Sequence, residues 1–140
     1  MVDNSKKITR LTIIWLALCI SQLLYVGIGF SVGPELETEV DDIILYVLLG
    51  SGLMSTVVAL VVIPQIIKVK SMEQYFTYTI VRMALLESIA IEGFVGYYIG
   101  GPQMMQWAMT IWALALMLLV RPTEAEFNKI CGSSNAIHPD

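Results

Sequence analysis

Charge is scarce in this 140-residue chain: 14% of its residues are Asp, Glu, Lys or Arg, against roughly a quarter in an average soluble domain. It has only two cysteines and one histidine. Cys19 lies inside an apolar block and Cys131 in the polar tail, with no C-x-x-C or metal-ligand spacing, so neither a zinc site nor a paired-thiol oxidoreductase is expected. His138 stands apart from any other ligand-type cluster. There is no Ser/His/Asp set, no phosphate loop and no basic patch with interleaved aromatics, so no catalysis, metal, cofactor or nucleic-acid partner is expected.

What the chain has in quantity is apolar sequence: 56% of its residues, in long blocks rather than in alternating or 3.6-period patterns. That pattern predicts an all-α polytopic membrane protein with four transmembrane helices in helical hairpins and no soluble domain. Residues 1–140 read as one domain, with the lipid bilayer as its solvent. The helices are expected over about 11–32, 43–67, 76–100 and 104–120, with a polar tail over 121–140, partly disordered. At ~1.5 Å per residue the first block crosses a ~30 Å hydrocarbon core. It is longer than a secretory signal core and has no A-x-A site, so it reads as an uncleaved first helix.

The punctuation agrees with four spans. Gly33-Pro34 ends the first helix, because proline cannot continue it and glycine readily takes the cap conformation. Asp41 or Asp42 can cap the second. Pro64 lies one turn from the end of the second helix, tolerable if a neighbour satisfies the carbonyl it frees. Gly100-Gly101-Pro102 turns the chain into the fourth block. In the second block Gly50, Ser51, Gly52, Ser55 and Ala59 form a small-residue region. The four-residue spacing of Ser51, Ser55 and Ala59 stacks them on one face, where another helix can approach closely.

Basic residues set the orientation. Lys6, Lys7 and Arg10 precede the first helix, Lys68 and Lys70 lie between the second and third, and Arg121 and Lys129 follow the fourth. The other two links have none. Four helices with both termini cytoplasmic satisfy this bias, and an inner (cytoplasmic) membrane is the expected location.

The third block carries Arg82, Glu87 and Glu92 at what reads as membrane depth, where each charge costs roughly 2.5–3.5 kcal/mol on insertion scales. Five-residue separations offset neighbours in this set by ~140°, so none has the i,i+4 spacing of an easy intrahelical pair. Three readings stand. Either carboxyl can bind and release a proton from a low-dielectric site. Either can pair with Arg82 of another copy or bond to a partner helix. Or both are neutral and hydrogen-bonded inside the bundle.

Leu86-Glu87-Ser88-Ile89-Ala90-Ile91-Glu92-Gly93-Phe94-Val95 resembles the carboxylate-bearing helix of the proteolipid (c) subunit of rotary F-type ATP synthases. Glu87 matches that family's ion-binding carboxylate, Gly93 its following glycine, and Ser88 a serine of sodium-binding members. The Gly50-Ser51-Gly52 region is similar to its glycine-rich first helix. The chain departs from the family in lacking the Arg-Gln-Pro loop, in having Glu92 where an aromatic is usual, and in adding two flanking helices. The resemblance implies reversible proton binding at Glu87, with Ser88 supporting it, Glu92 or Arg82 tuning it, and a homo-oligomer formed through the small-residue face. A second reading, of another class, is a non-catalytic structural or accessory subunit of a larger membrane complex, with Arg82, Glu87 and Glu92 specifying other membrane subunits. A four-helix small-molecule exporter is third, since exporters of that kind carry their membrane glutamate in the first helix.

Overall fold

A computed structural model describes residues 2–33 and 41–135, with backbone alone for 2–4 and 131–135. Pro34, most of the acidic link, His138 and the Cys131 side chain lie outside the described residues. The described chain is all α-helix: α1 (Val2–Val32), α2 (Asp42–Ile66), α3 (Met72–Tyr98), α4 (Gln103–Leu119) and α5 (Glu124–Asn135). Two stretches, Ser5–Val32 and Asp42–Ile66, are long and apolar enough to cross a membrane. A third qualifies if α4 and the start of α5, which meet at 70°, count as one bent element. α3 has 27 residues but is not among them; Arg82, Glu87 and Glu92 interrupt it.

The caps follow from local chemistry. Gly33, at φ 72°, takes the left-handed conformation that closes α1, and its N–H donates to the Gly29 carbonyl at 2.9 Å. Asp41 is the cap chosen for α2, its carboxylate accepting from the Ile43 N–H at 3.1 Å. Ser71 caps α3 by accepting from the Gln74 N–H. Gly100, at φ 104°, makes the turn into α4. α1 begins well before the expected residue 11. Its polar start is helical because Ile8 and Leu11 reach the core and Lys7 pairs with Glu73 of α3 at 3.7 Å.

α3 is the central helix and packs against α1, α2 and α4. Tyr75, Met83, Leu86, Ile89 and Ala90 are fully buried on it. Met105, Met109, Ala113 and Met117 of α4 complete the core. Two glycines let α4 come close: a Cβ on Gly93 would stand 2.8 Å from the Met109 Cβ, and one on Gly96 would meet the Met105 thioether. The outer faces of α1 and α2 are apolar yet exposed, at Ile13, Leu23, Leu24, Tyr46, Val47 and Leu53 among others. An apolar outside around a core that carries the polar groups suits lipid as the surrounding medium.

Gly93→Ala is therefore expected to destabilise the bundle by about 1–3 kcal/mol through overpacking, read from unfolding in detergent. Gly27→Ala, where a Cβ meets nothing within 4 Å, is expected to be neutral or slightly stabilising. Equal losses in both would refute close α3–α4 packing at Gly93.

Candidate functional site

The polar groups of α3 reach three helices: Arg82 meets α2 and α5, Glu87 meets α1, and Ser88 and Glu92 meet α2. Near its start, Arg82 turns toward α2 and α5. Pro64 explains why. Within α2 the five residues Val58–Val62 form a π turn, so the Ile63 N–H donates to the carbonyl of Val58 rather than that of Ala59. In the widened register the donor for Ala59 would be the N–H of residue 64, which proline lacks. Arg82 Nε fills the gap, donating to the Ala59 carbonyl at 3.0 Å. Pro64 frees a carbonyl at depth, and an arginine of the next helix satisfies it.

The same guanidinium pairs through Nη1 with Glu126 Oε1 at 3.3 Å and lies over the Tyr78 ring at 5.0 Å. Tyr75 donates its phenol to Glu126 Oε2 at 3.0 Å. The tail expected as polar and partly disordered is thus helical from Glu124. Thr123 starts it by accepting from the Glu126 N–H at 3.1 Å, and Phe127 sets its ring edge against Tyr75, centroids 5.3 Å apart. Arg82 is paired within its own chain, with neither Glu87 nor Glu92.

Glu87 faces α1. Its Oε1 accepts from Ser21 at 2.7 Å and from Tyr25 at 3.3 Å. Ser88, one residue on and ~100° around the helix, faces α2 instead. Its hydroxyl bonds to the Leu85 carbonyl and to the Ser55 hydroxyl, so Ser88 does not support the Glu87 carboxyl. Glu92 also faces α2, accepting from Ser51 at 2.9 Å. Its second oxygen, Oε2, is buried with no hydrogen-bond partner, and a Cβ on Gly52 would come within 3.2 Å of it.

The small-residue face of α2 is accordingly used inside the chain. Ala59 meets Arg82, Ser55 meets Ser88 and Ser51 meets Glu92, three polar rungs between antiparallel helices. Gly52 and Ala59 are buried there. Gly50 is not part of the contact; it is exposed, with nothing within 4 Å of a Cβ built on it.

Two glutamines that the sequence reading did not single out lie at the centre. Gln106 of α4, 1% exposed, donates to the Tyr25 carbonyl of α1 at 2.9 Å. A Cβ on Gly29 would stand 2.5 Å from the Gln106 amide nitrogen. Gln22 is fully buried on α1, its amide unpartnered. The available signal was an amide inside an otherwise apolar block, in the fourth helix and in the first. Among the described residues no cluster of His, Cys, Asp and Glu could hold a metal ion.

No protein-family description matches the chain, and no curated protein or solved structure matches it either.

Arg82→Gln strips donors from Ala59 and Glu126 and is expected to cost about 1–3 kcal/mol, with faster hydrogen exchange in α5. In a Pro64→Ala background residue 64 regains an N–H, so α2 can satisfy its own carbonyl. The Arg82→Gln cost should then fall by at least ~0.5 kcal/mol, a coupling size typical of groups in contact. Strict additivity in this double-mutant cycle would refute the assigned role of Arg82.

Proposed function

We propose that this chain is a four-span integral membrane protein of the inner (cytoplasmic) membrane, both termini cytoplasmic, that binds a proton reversibly at an intramembrane carboxyl. One observation carries the reading. Among the described residues, Glu87 and Glu92 have no ion-pair partner and are held by hydroxyls: Ser21 and Tyr25 for one, Ser51 for the other. A hydroxyl both donates and accepts, so it serves an ionised carboxylate and a neutral carboxylic acid alike. An arginine beside a carboxyl would instead favour the charged state, and the arginine of this helix is engaged with Glu126.

Of the two, Glu92 is the better site for exchange. Ser51 beside it is exposed at the edge of the α2–α3 seam, which gives a route from the bundle surface. Glu87 lies under α1 and takes a supporting role. The proteolipid-like hairpin is retained here for proton binding alone, since α1 occupies the side of Glu87 that a rotor carboxylate would present to a stator.

The accessory-subunit reading keeps one specific support. Ser51, exposed where it bonds Glu92, offers a hydroxyl that a helix of another subunit, a second copy or a different protein can meet. Carbodiimide labelling in membranes across pH separates the two, because the reagent needs a protonated and accessible carboxyl. Labelling that grows as pH falls, disappears in Glu92→Gln and persists in Glu87→Gln is the expected result. No labelling at any pH at which the protein stays folded would overturn proton binding and favour Glu92 sealed against a partner.

A further inference from the structure

α3 is covered by α1, α2 and α4, but α1 and α2 share no packed interface with each other. A stripe of the central helix is therefore left open between them. Ala84, Ile91 and Val95 are exposed there, although Leu86, Ile89 and Ala90 of the same turns are fully buried. Glu87 borders this opening, ~60° around the helix from Ala84 and ~40° from Ile91, with Ser21 and Tyr25 of α1 behind it. We propose that the opening binds a hydrophobic organic cation, with Glu87 as its counter-ion and the rings of Tyr25 and Phe94 against its apolar body. The site rests on Glu87 and stands without proton exchange at Glu92.

Room and negative charge coincide here. Glu87 is half-buried, and both of its hydrogen bonds fall on Oε1, leaving Oε2 with none among the described residues. A helix Cβ tilts toward the N-terminus, so this carboxyl lies back over the turn that holds Ala84, the smallest side chain of the stripe. The chain supplies no cation to match it. Arg82 is engaged with Ala59 and Glu126, and α1 beyond Arg10, α2 and α4 contain no lysine, arginine or histidine. An ionised carboxylate in apolar surroundings is costly without a partner, and a ligand can bring one.

The rings select the kind of cation. The Tyr25 ring lies 6.0 Å from that of Phe94, and Phe94 lies 6.0 Å from Tyr98. Glu87, Phe94 and Tyr98 fall within ~20° of one line along α3, so aromatic surface continues directly from the carboxyl. Ring faces attract organic cations. A metal ion fits poorly, because one carboxyl and two hydroxyls cannot replace the shell of six or more oxygens that a hard cation takes. Leu24 and Ile28, exposed beside Tyr25 on α1, extend the apolar wall toward the lipid from which such a ligand would enter.

The test is calorimetric titration of the full chain in lipid nanodiscs with tetraphenylphosphonium, with empty discs subtracted. Triphenylphosphine oxide serves as the uncharged analogue. Saturable binding of the cation, and weaker binding of the oxide, is the expected result. Glu87→Gln should weaken the cation at least about thirtyfold, as loss of one member of a desolvated charge pair does. Phe94→Leu should weaken it about two- to fivefold, the scale of one cation–ring contact. Ala84→Phe fills the opening, leaves the carboxyl in place and should abolish saturable binding; position 84 is exposed, and circular dichroism checks that helicity is retained. Glu124→Gln, which removes an exposed carboxylate on α5, should change nothing. Equal binding of the uncharged analogue would overturn the counter-ion role of Glu87. Binding that survives Ala84→Phe, or no saturable binding to the folded wild type, would overturn the site. Carbodiimide labelling of Glu92 is read separately, so loss of either property leaves the other standing.

Discussion

Arg82, Glu87, Ser88 and Glu92 of α3 each find a partner on a neighbouring helix, because a polar group in apolar surroundings is costly without one. That constraint organises the rest of the bundle. α3 becomes the central helix, and the other helices bring it hydroxyls, a freed carbonyl and one carboxylate. Ser21 and Tyr25 bind α1 to Glu87, Ser51 and Ser55 bind α2 to Glu92 and Ser88, and Glu126 binds α5 to Arg82. The apolar residues of α1 and α2 are left to face outward. Polarity inside and apolar surface outside are thus one consequence, not two.

The Pro64–Arg82 arrangement shows how one defect can organise several elements. A proline near the end of α2 costs a backbone hydrogen bond; the π turn moves the unpaired carbonyl to Ala59, which is fully buried. Only a donor with reach can serve it there, and an arginine that serves it still has unused N–H groups. Those take Glu126, and Glu126 in turn accepts from Tyr75. The docking of α5 is in this sense a distant consequence of the proline.

The all-helical class, the order of the four apolar helices and most of their ends were legible because long apolar blocks, caps and glycine turns are local signals, whereas the fifth helix and the early start of α1 were not. Asp41, Gly33 and Gly100 behave as their residue types predict. The partners of the charges were not legible. Spacing alone shows that Arg82, Glu87 and Glu92 point in different directions; which helix lies in each direction depends on tertiary order, which periodicity does not encode. Helix α5 was missed for the same reason. Its residues are polar, and its order comes from Phe127 and Glu126 meeting Tyr75 and Arg82, contacts some fifty positions away along the chain. Gln22 and Gln106 were overlooked because a single amide barely changes the hydropathy of an apolar block, yet its burial decides how closely α1 and α4 are held.

The use of the Ser51–Ser55–Ala59 face inside the chain also changes what an oligomer would have to be. Small-residue faces drive association in a bilayer because they allow backbones to approach, and this one is already occupied by α3. The surfaces left on α1 and α2 carry large side chains such as Leu23, Tyr46 and Leu53, which pack no better against a neighbour than against lipid tails. Specific association through them would need a polar landmark. The exposed Ser51, bonded to Glu92, provides one. The Ser51–Glu92 pair would then either exchange a proton or meet a neighbour, and a bound neighbour would close the route by which the proton arrives. Proton binding and partner binding at Glu92 are therefore expected to be mutually exclusive, not additive, properties of the site.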